Sequence, residues 1–353
     1  MPRKCKRKAS TINRKPKIDV QENEKEEEEE DEEEREEETR MSGMGPDLED
    51  RKPIQRRTDS IQVIYKGRKY VIPPIFQMAN KRGECGRLIN DTIVELYLCH
   101  YLVNEKYDNA MRSRCRVFNS FFYASLRMRL RQNVKERPRR SELSEIYRKI
   151  FLKKLDSEVL EKEILVLPIH IDKPKHWFLA IIHNVKGAIR RPVVVQNDEN
   201  EDESDPNRLF RVKETDFEDR PECRIIIMDS LCLWDKYKAC LKVHHTRVIE
   251  TLRLWLQMTA AAAGEELMGA RVRSAVCEKL PKQLNSVDCG LYMMAYAEYF
   301  TYYNTQWTNM PTDSLVYLRM DPTAEALLAT DDPRLRLEAL LTDMNKKLFE
   351  TKE

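Results

Sequence analysis

The chain has 353 residues and a formal net charge of +2, with 41% hydrophobic and 35% charged residues. The small net charge conceals segregation, because residues 3–17 are basic, residues 22–38 are almost wholly acidic and residues 51–150 are rich in arginine and lysine. None of the nine cysteines has the C-x-x-C spacing of a zinc site or a redox dithiol, and no stretch approaches the ~20 apolar residues of a membrane span. The composition therefore excludes a membrane-spanning protein, and we expect free thiols in a reducing compartment, without a metal site.

The first part of the chain, residues 1–58, has the composition of a disordered tail. Two basic clusters, within residues 3–8 and 14–17, are typical of a bipartite nuclear import signal, although a generic basic tail has the same composition. They predict a nuclear protein. The acidic tract that follows has the charge to contact basic nuclear partners such as histones, but a solvated tail is the simpler interpretation. Residues 59–350 are predicted to form the folded domain.

Local patterns predict the elements in the first half of this domain. Asn90 or Asp91 is a suitable N-cap for a helix, because both side chains can accept a hydrogen bond from an unpaired backbone N–H. An aromatic-rich segment that follows is predicted to be a buried helix. The elements predicted here are, in chain order, a hairpin of residues 61–65 and 70–72, a helix over residues 92–103, a buried helix over residues 117–130 and a helix that starts at Ser141.

The second half contains near-continuous apolar runs, which indicate strands covered on both faces. Residues 186–222 are polar and acidic in their middle without a clear period, so we predict a long, largely disordered insertion. The segment from Cys289 is apolar nearly all round, which indicates a central buried helix. The predicted elements are strands over residues 163–169, 177–183, 224–228 and 272–276, and helices over residues 246–268, 289–303 and 334–348.

Cys289 is the candidate nucleophile, although a lone cysteine is usually a small buried apolar residue. Pro281 and Asn285 mark a loop before it, Gly290 removes bulk beside the sulfur, and the buried helix begins at the cysteine. The first turn of a helix offers unpaired N–H groups and the positive end of the helix dipole. Both stabilise a thiolate.

A cysteine nucleophile needs a base and a group that orients the base. His176 begins one predicted strand and Asp229 follows the end of another, so the two meet at one sheet edge if these strands are antiparallel neighbours. The alternative for His176 is an ordinary surface histidine. The other histidines have less suitable positions, namely His100 in a helix, His170 within a strand, His183 at the far end of its strand, and His244-His245 in a polar stretch before a helix.

Acyl transfer also needs donors for a developing oxyanion. The backbone N–H of Cys289 at the helix start is one candidate. The side-chain amide of Gln283, six residues upstream, is the other. Taken alone, Gln283 would be interpreted as an exposed loop residue.

These residues together resemble the ubiquitin-like-protein-specific (Ulp/SENP) cysteine proteases. The resemblance extends over about residues 60–310 and keeps that family's order of histidine, aspartate, glutamine and cysteine. It rests on His176-Trp177, Asp229-Ser230, Gln283…Asn285…Asp288-Cys289-Gly290, Asn90-Asp91-Thr92-Ile93 and Phe118-Asn119-Ser120-Phe121-Phe122-Tyr123.

The resemblance implies an α+β, papain-like cysteine protease fold with a central mixed sheet, flanking helices and the catalytic cysteine at the start of a buried helix. It implies cleavage after the C-terminal Gly-Gly of SUMO, with SUMO and SUMO-conjugated proteins as partners and no cofactor or nucleic acid required. The long insertion resembles the branch with a split catalytic domain, which prefers to trim SUMO chains. The implied roles are catalysis by His176, Asp229 and Cys289, oxyanion binding by Gln283, and substrate binding by Trp177, Asp91, Asn90 and Asn285, with Trp177 covering the glycine pair in a narrow channel.

Two positions depart from the family pattern, since Leu88 replaces a tryptophan and Lys282 replaces the first glutamine of a proline-glutamine-glutamine loop. Neither change removes a catalytic group. Three alternatives stay open: a protease for a Nedd-type modifier or ubiquitin, an inactive SUMO-binding protein on the same fold, and a chromatin-binding protein that acts through its charged tails.

Overall fold

The computed structural model describes residues 61–65, 68–72, 88–134, 138–151, 156–190, 221–231, 235–321, 326–328 and 333–350. All of them belong to the unit Pro53–Glu353. The predicted tail of residues 1–58 lies outside the described residues, as do residues 191–220 of the predicted insertion.

A mixed sheet forms the centre of the fold, with the strand order β3–β4–β5–β7–β9. Strands β4 and β7 both pair with β5 in antiparallel orientation, while β3 pairs with β4 and β9 with β7 in parallel orientation. The β1–β2 hairpin and a short β6–β8 pair lie apart from this sheet. The strands are Ile61–Tyr65 (β1), Arg68–Ile72 (β2), Cys115–Val117 (β3), Ile164–Asp172 (β4), Lys175–His183 (β5), Ile189–Arg190 (β6), Cys223–Met228 (β7), Glu266–Leu267 (β8) and Val272–Cys277 (β9).

Helices flank the sheet, and two of them continue as π-helices. None of the described helices combines the length and the apolar character that crossing a bilayer requires. The helices are Asp91–Glu95 (α1) with the π-helix Leu96–Lys106, Asn109–Arg114 (α2), Phe122–Asn133 (α3), Leu143–Ile150 (α4), Glu158–Glu161 (α5), Asp235–Ala262 (α6), Cys289–Glu298 (α7) with the π-helix Tyr299–Tyr303, and Pro333–Glu350 (α8). Short 3₁₀ turns occupy Arg140–Glu142, Val185–Ala188, Gly269–Arg271, Gln306–Asn309 and Thr312–Tyr317.

Both faces of the central sheet are covered, as the near-continuous apolar runs predicted. Alternate residues of β5 point to opposite faces, so Leu179 and Ile181 pack with α1, α7 and α8, whereas Phe178 and Ala180 pack with α3, α4 and α6. Each fully buried aliphatic side chain of this kind contributes about 1.5–3 kcal/mol of hydrophobic free energy. The result is the α+β, papain-like arrangement, in which a helix that begins at a cysteine packs on a mixed sheet.

The predicted hairpin, the four predicted central strands and the predicted helices 92–103, 289–303 and 334–348 are confirmed, with ends that move by a few residues. The buried helix predicted over residues 117–130 is confirmed from Phe122 onward and continues to Asn133, but its predicted start is wrong. Cys115–Val117 pairs in parallel with β4, and the Phe118 N–H donates to the Val166 carbonyl at 2.9 Å, so the helix begins only at Phe122. Tertiary pairing has overridden the local apolar pattern here.

The helix predicted over residues 246–268 begins earlier, at Asp235, and ends at Ala262. Gly264, at φ 77°, has the left-handed backbone conformation that commonly follows a helix end. Consequently His244 and His245 lie within a helix and not before one.

The predicted insertion, residues 186–222, is shorter at both ends than expected. Val185–Ala188 forms a 3₁₀ turn, and Ile189–Arg190 pairs with Glu266–Leu267. At the other end, the Pro221 carbonyl accepts a hydrogen bond from the Asn184 side chain at 2.5 Å. Strand pairing and side-chain contacts thus order these flanks, which sequence patterns had assigned to the insertion.

Candidate active site

The strand register brings His176 and Asp229 together, as the sequence predicted. His176 is the second residue of β5, and Asp229 follows the last residue of β7. Because Leu179 pairs with Met228 in antiparallel register, both side chains reach the same edge of the sheet. The Nε2 atom of His176 lies 2.8 Å from Oδ1 of Asp229, and both side chains are buried.

Asp229 accepts three hydrogen bonds although it is fully buried. Oδ1 accepts from His176 Nε2 and from the Leu231 backbone N–H at 2.7 Å, and Oδ2 lies 2.7 Å from Nε2 of His245. Burial acts to raise the pKa of Asp229, but the two histidines hold it well below its usual range. The carboxylate therefore stays ionised throughout the neutral range.

His176 is held in its protonated form. Burial acts to lower its pKa, but the Asp229 carboxylate and the nearby Cys289 sulfur raise it to about 10. Its second ring nitrogen, Nδ1, is buried and has no hydrogen-bond partner among the described residues. With Nε2 committed to Asp229, Nδ1 is the nitrogen that can exchange a proton with Cys289.

Cys289 is the first residue of α7 and is completely buried. The predicted position at a helix start is therefore confirmed. The helix packs directly against β5, so the sulfur meets the imidazole edge across the helix–sheet interface. Cys289 thus lies where a helix offers unpaired backbone N–H groups and the positive end of its dipole.

Gln283 is completely buried and is not the exposed loop residue that its sequence position alone suggested. Its Oε1 atom accepts a hydrogen bond from the Ser230 hydroxyl, and its Nε2 donates to the Asn285 carbonyl at 2.6 Å. These two contacts fix which way the amide points. Because Ser230 follows Asp229 directly, the same chain segment orients both the carboxylate and the amide.

Asn285 shapes the loop that leads to Cys289. Its Oδ1 atom accepts from the backbone N–H groups of Val287 and Asp288 at 2.9 and 3.0 Å, and its Nδ2 donates to the Asp288 carboxylate at 2.6 Å. Arg334 of α8 holds the same carboxylate, with Nε 2.6 Å from Oδ1. These contacts give Asn285 a structural part in the loop, and its predicted contact with substrate stays a prediction.

Trp177, directly after His176, is almost fully buried. Its indole N–H donates to the Ile89 carbonyl at 2.8 Å, and its ring centroid lies 4.7 Å from that of His170. Asn90 caps α1 as predicted, because its Oδ1 accepts from the Ile93 N–H at 3.0 Å. The structure thus places the start of α1 beside Trp177.

Asp91 is the first residue of α1 and is half-buried. It lies near enough to His170 to influence that histidine electrostatically. Asp91 therefore lies in the neighbourhood of His170, the residue that packs against Trp177. Its role as a substrate-binding residue stays a prediction.

Gly290 is required by a close approach of two segments. A Cβ atom at this position would lie 2.6 Å from the Cβ of Ile89, which is shorter than side chains tolerate. We expect Gly290→Ala to shift the start of α7 or of α1 and to destabilise the fold by about 1–3 kcal/mol, the usual cost of overpacking. Thermal or denaturant unfolding measures the effect.

Gly269→Ala is the matched control, because its added Cβ would meet only the Gln257 side chain, at 3.9 Å. It should leave the free energy of unfolding within about 0.5 kcal/mol of the wild-type value. Equal stability of the Gly290→Ala and Gly269→Ala proteins would contradict the close approach.

His245 is the site residue that sequence reasoning missed. A local signal exists, since Leu241, His245, Val248 and Leu252 recur at helical spacing and all are buried. A histidine within such an apolar stripe needs a polar partner, and Asp229 is that partner. Because charged residues surround this stripe, the sequence pattern did not predict the first turns of α6.

Among the described residues, no group of three or more histidine, cysteine, aspartate or glutamate side chains could hold a metal ion. The site combines a sulfur at a helix start, a protonated imidazole, a buried carboxylate and an oriented amide. These are the groups that nucleophilic acyl transfer requires.

Comparisons with known proteins point the same way. The model of the Ulp1 protease family, C-terminal catalytic domain, matches residues 87–324. Sentrin-specific protease 7 of Mus musculus is 26% identical over 249 residues, covering 63% of this chain and 23% of that protein. Its Homo sapiens counterpart is 24% identical over 248 residues, with the same shares.

Sentrin-specific protease 6 of Mus musculus is 33% identical over 102 residues, which cover 28% of this chain and 8% of that protein. A solved structure described as that of the de-sumoylating protease has a TM-score of 0.48 at 18% identity, covering 83% of this chain and 93% of that chain. The chain spans 23% of the length of the first curated relatives that it matches. Because the family model spans most of the folded part, this chain belongs to the Ulp1 protease family.

Proposed function

We propose that this chain is a SUMO-specific cysteine protease that cleaves after the C-terminal Gly-Gly of the modifier, acting as isopeptidase and peptidase. The observation that carries the proposal is the buried His176–Asp229 pair, 2.8 Å between Nε2 and Oδ1, beside Cys289 at the start of α7. Family membership supports the reaction class, and the names of the relatives support the modifier. The basic clusters in residues 3–17 support action in the nucleus.

In the first half of the reaction, the Cys289 thiolate attacks the carbonyl carbon of the modifier's last glycine and forms a C–S bond. The C–N bond to the lysine of the conjugated protein then breaks. The Nδ1 proton of His176 goes to the leaving amine, so the products of this step are a free lysine and a thioester. Asp229 holds the imidazole ring in place and stabilises its charge.

In the second half, neutral His176 accepts a proton from water, and the resulting hydroxide attacks the thioester carbonyl. The C–S bond breaks, and the thiolate–imidazolium pair returns. The modifier leaves as a carboxylic acid, which releases its remaining proton to solvent and becomes a carboxylate. The thiolate is one of the charges that raise the pKa of His176. Acylation removes that charge, so it favours the neutral imidazole that this step needs.

Trp177 supports the choice of glycine as the residue before the cleaved bond. Its indole is fixed by the hydrogen bond to Ile89 and follows the proposed base directly in sequence. A rigid aromatic ring over the reacting carbonyl leaves room for a residue without a side chain and excludes larger ones. Asp91 at the start of α1 is proposed to contact the modifier on the same side.

Gln283 is proposed to stabilise the oxyanion together with the Cys289 backbone N–H. We expect Gln283→Ala to lower kcat by about 10²–10³-fold, the usual effect of removing one such donor. Steady-state hydrolysis of a fluorogenic SUMO C-terminal amide measures it. Leu284→Ala is the control, because this neighbouring side chain is 91% exposed and should leave kcat unchanged. Equal kcat values for the two variants would contradict the oxyanion role.

Modifier identity is tested with C-terminal electrophilic probes of SUMO, a Nedd-type modifier and ubiquitin on the full chain. We expect a covalent adduct at Cys289 with the SUMO probe, and at most about one-hundredth of that rate with the other two, the discrimination that a few lost contacts produce. Mass spectrometry of the digested adduct locates the modified residue. Faster reaction with another modifier would replace SUMO as the substrate. Binding of SUMO without any adduct would favour an inactive binding protein.

A further inference from the structure

A second histidine reaches the carboxylate that His176 uses. His245 Nε2 lies 2.7 Å from Oδ2 of Asp229, whereas His176 and the Leu231 N–H occupy Oδ1. The His245 side chain is only 6% exposed. Because both side chains are buried, the Nε2–H of His245 needs an acceptor and the ionised Oδ2 of Asp229 needs a donor. Each satisfies the other, so the pair is not a chance surface contact.

Helix α6 holds His245 in one orientation. The imidazole ring meets the Phe178 ring edge to face, with centroids 5.1 Å apart. One residue earlier, the His244 Nε2 atom lies 2.9 Å from the Lys173 carbonyl, in the turn between β4 and β5. The same helix therefore contacts both the Asp229 carboxylate and the turn that precedes His176.

We propose that His245 is a positioning residue, whose Nε2–H holds the Asp229 carboxylate in the orientation that suits His176. The inference rests on the proposed function, because it concerns the base of that reaction. In this arrangement one carboxylate joins two imidazoles, and only His176 faces the sulfur.

Each oxygen of Asp229 has its own donors, which is what fixes the carboxylate plane. Without His245, Oδ2 would be buried without a hydrogen bond, and the carboxylate would turn toward other donors to satisfy it. Lys282 is already engaged with the main-chain oxygen of Asp229, at 3.1 Å. The charged and titratable groups around the carboxylate are His176, His245 and Lys282, with Cys289 beyond His176.

Two substitutions separate the N–H donor from the bulk of the ring. His245→Phe keeps an aromatic ring against Phe178 but removes the donor. His245→Gln keeps an uncharged N–H donor at a similar distance from the backbone but removes the ring. We expect His245→Phe to lower kcat for a fluorogenic SUMO amide about 10–100-fold with KM unchanged, since a displaced base is costly. His245→Gln should stay within about threefold of the wild-type kcat, because the donor remains.

The second readout needs no modifier. The rate of Cys289 alkylation by iodoacetamide is measured against pH, with the Cys289 peptide quantified by mass spectrometry and thermal unfolding recorded for each protein. In His245→Phe, a loosened Asp229 stabilises the His176 imidazolium less, so the thiolate should form at higher pH than in the wild type. His245→Gln should keep the wild-type profile.

Three outcomes would overturn the inference: wild-type kcat and alkylation profile in His245→Phe, equal losses in both variants, or a shifted profile in a folded His245→Gln protein. Failure of the proposed function looks different. If the wild type alkylates at low pH but cleaves no SUMO substrate, the modifier is wrong while the alkylation profiles still decide the role of His245.

Discussion

Hydrolysis of a SUMO C-terminal amide should fall by at least about 10⁵-fold when Cys289 is replaced by alanine, the scale on which removal of a nucleophile acts. The sulfur is the only protein atom of the proposed mechanism that forms a covalent bond to the substrate, and His176 cannot replace it as the nucleophile at the start of α7. Binding should survive, because Cys289 is completely buried and contributes no exposed surface to a modifier. Stopped-flow hydrolysis and calorimetric titration with SUMO measure the two effects.

Cys240→Ser provides the matched control. Cys240 lies in α6, is only partly buried, and its sulfur lies 4.0 Å from the Lys173 carbonyl oxygen. Its substitution should leave hydrolysis within about twofold of the wild-type rate, as surface changes usually do. Residual cleavage by Cys289→Ala at more than a trace level would remove Cys289 from the mechanism.

Asp229→Asn should lower kcat by about 10²–10⁴-fold, because the amide keeps the shape of the carboxylate but loses its charge and the preferred orientation of the imidazole. The pKa of His176, now about 10, should fall toward its ordinary value. A smaller fraction of imidazolium at neutral pH then stabilises less thiolate. Alkylation of Cys289 against pH reports this shift directly.

Asp229→Asn should also change how the free energy of unfolding depends on pH. The depressed pKa of Asp229 contributes stability that is fully present above about pH 4 and is lost as the pH falls. The raised pKa of His176 contributes stability that is fully present below about pH 6.5 and is lost as the pH rises toward 10. The wild type should therefore exceed Asp229→Asn most between about pH 4 and pH 6.5. Thermal unfolding over pH 3–10 measures the difference, and a difference that does not vary with pH would contradict the coupled pair.

The positions of Cys289, His176 and Asp229, the residues proposed to be catalytic, were accessible from sequence because each of the three has a local marker. Unbroken apolar runs located β5 and β7, so the positions of His176 and Asp229 at their ends followed from antiparallel pairing. A helix that is apolar all round marked the burial of α7 and hence of Cys289. These patterns involve residues that are close together in the chain, and such local patterns can be recognised in a single sequence.

The supporting contacts had no such marker. The hydrogen bond from Trp177 to Ile89 joins positions 88 residues apart, and the one from Ser230 to Gln283 joins positions 53 apart. His245 lies in a helix whose first turns carry lysines at positions 236, 238 and 242, and this charge made the segment resemble a polar loop. Tertiary structure determines these partners, and no local period in the sequence reveals them.

Ile89 touches the residue that follows each of the two side chains proposed to react, His176 and Cys289. Its carbonyl accepts from Trp177, the neighbour of His176, and its side chain fills the space beside Gly290, the neighbour of Cys289. The segment that contains Ile89 therefore helps to set the distance between the Cys289 sulfur and the His176 imidazole, although it supplies no reacting atom. A bound partner or a substitution that displaces the start of α1 would therefore change the distance between the proposed nucleophile and base without contacting either one.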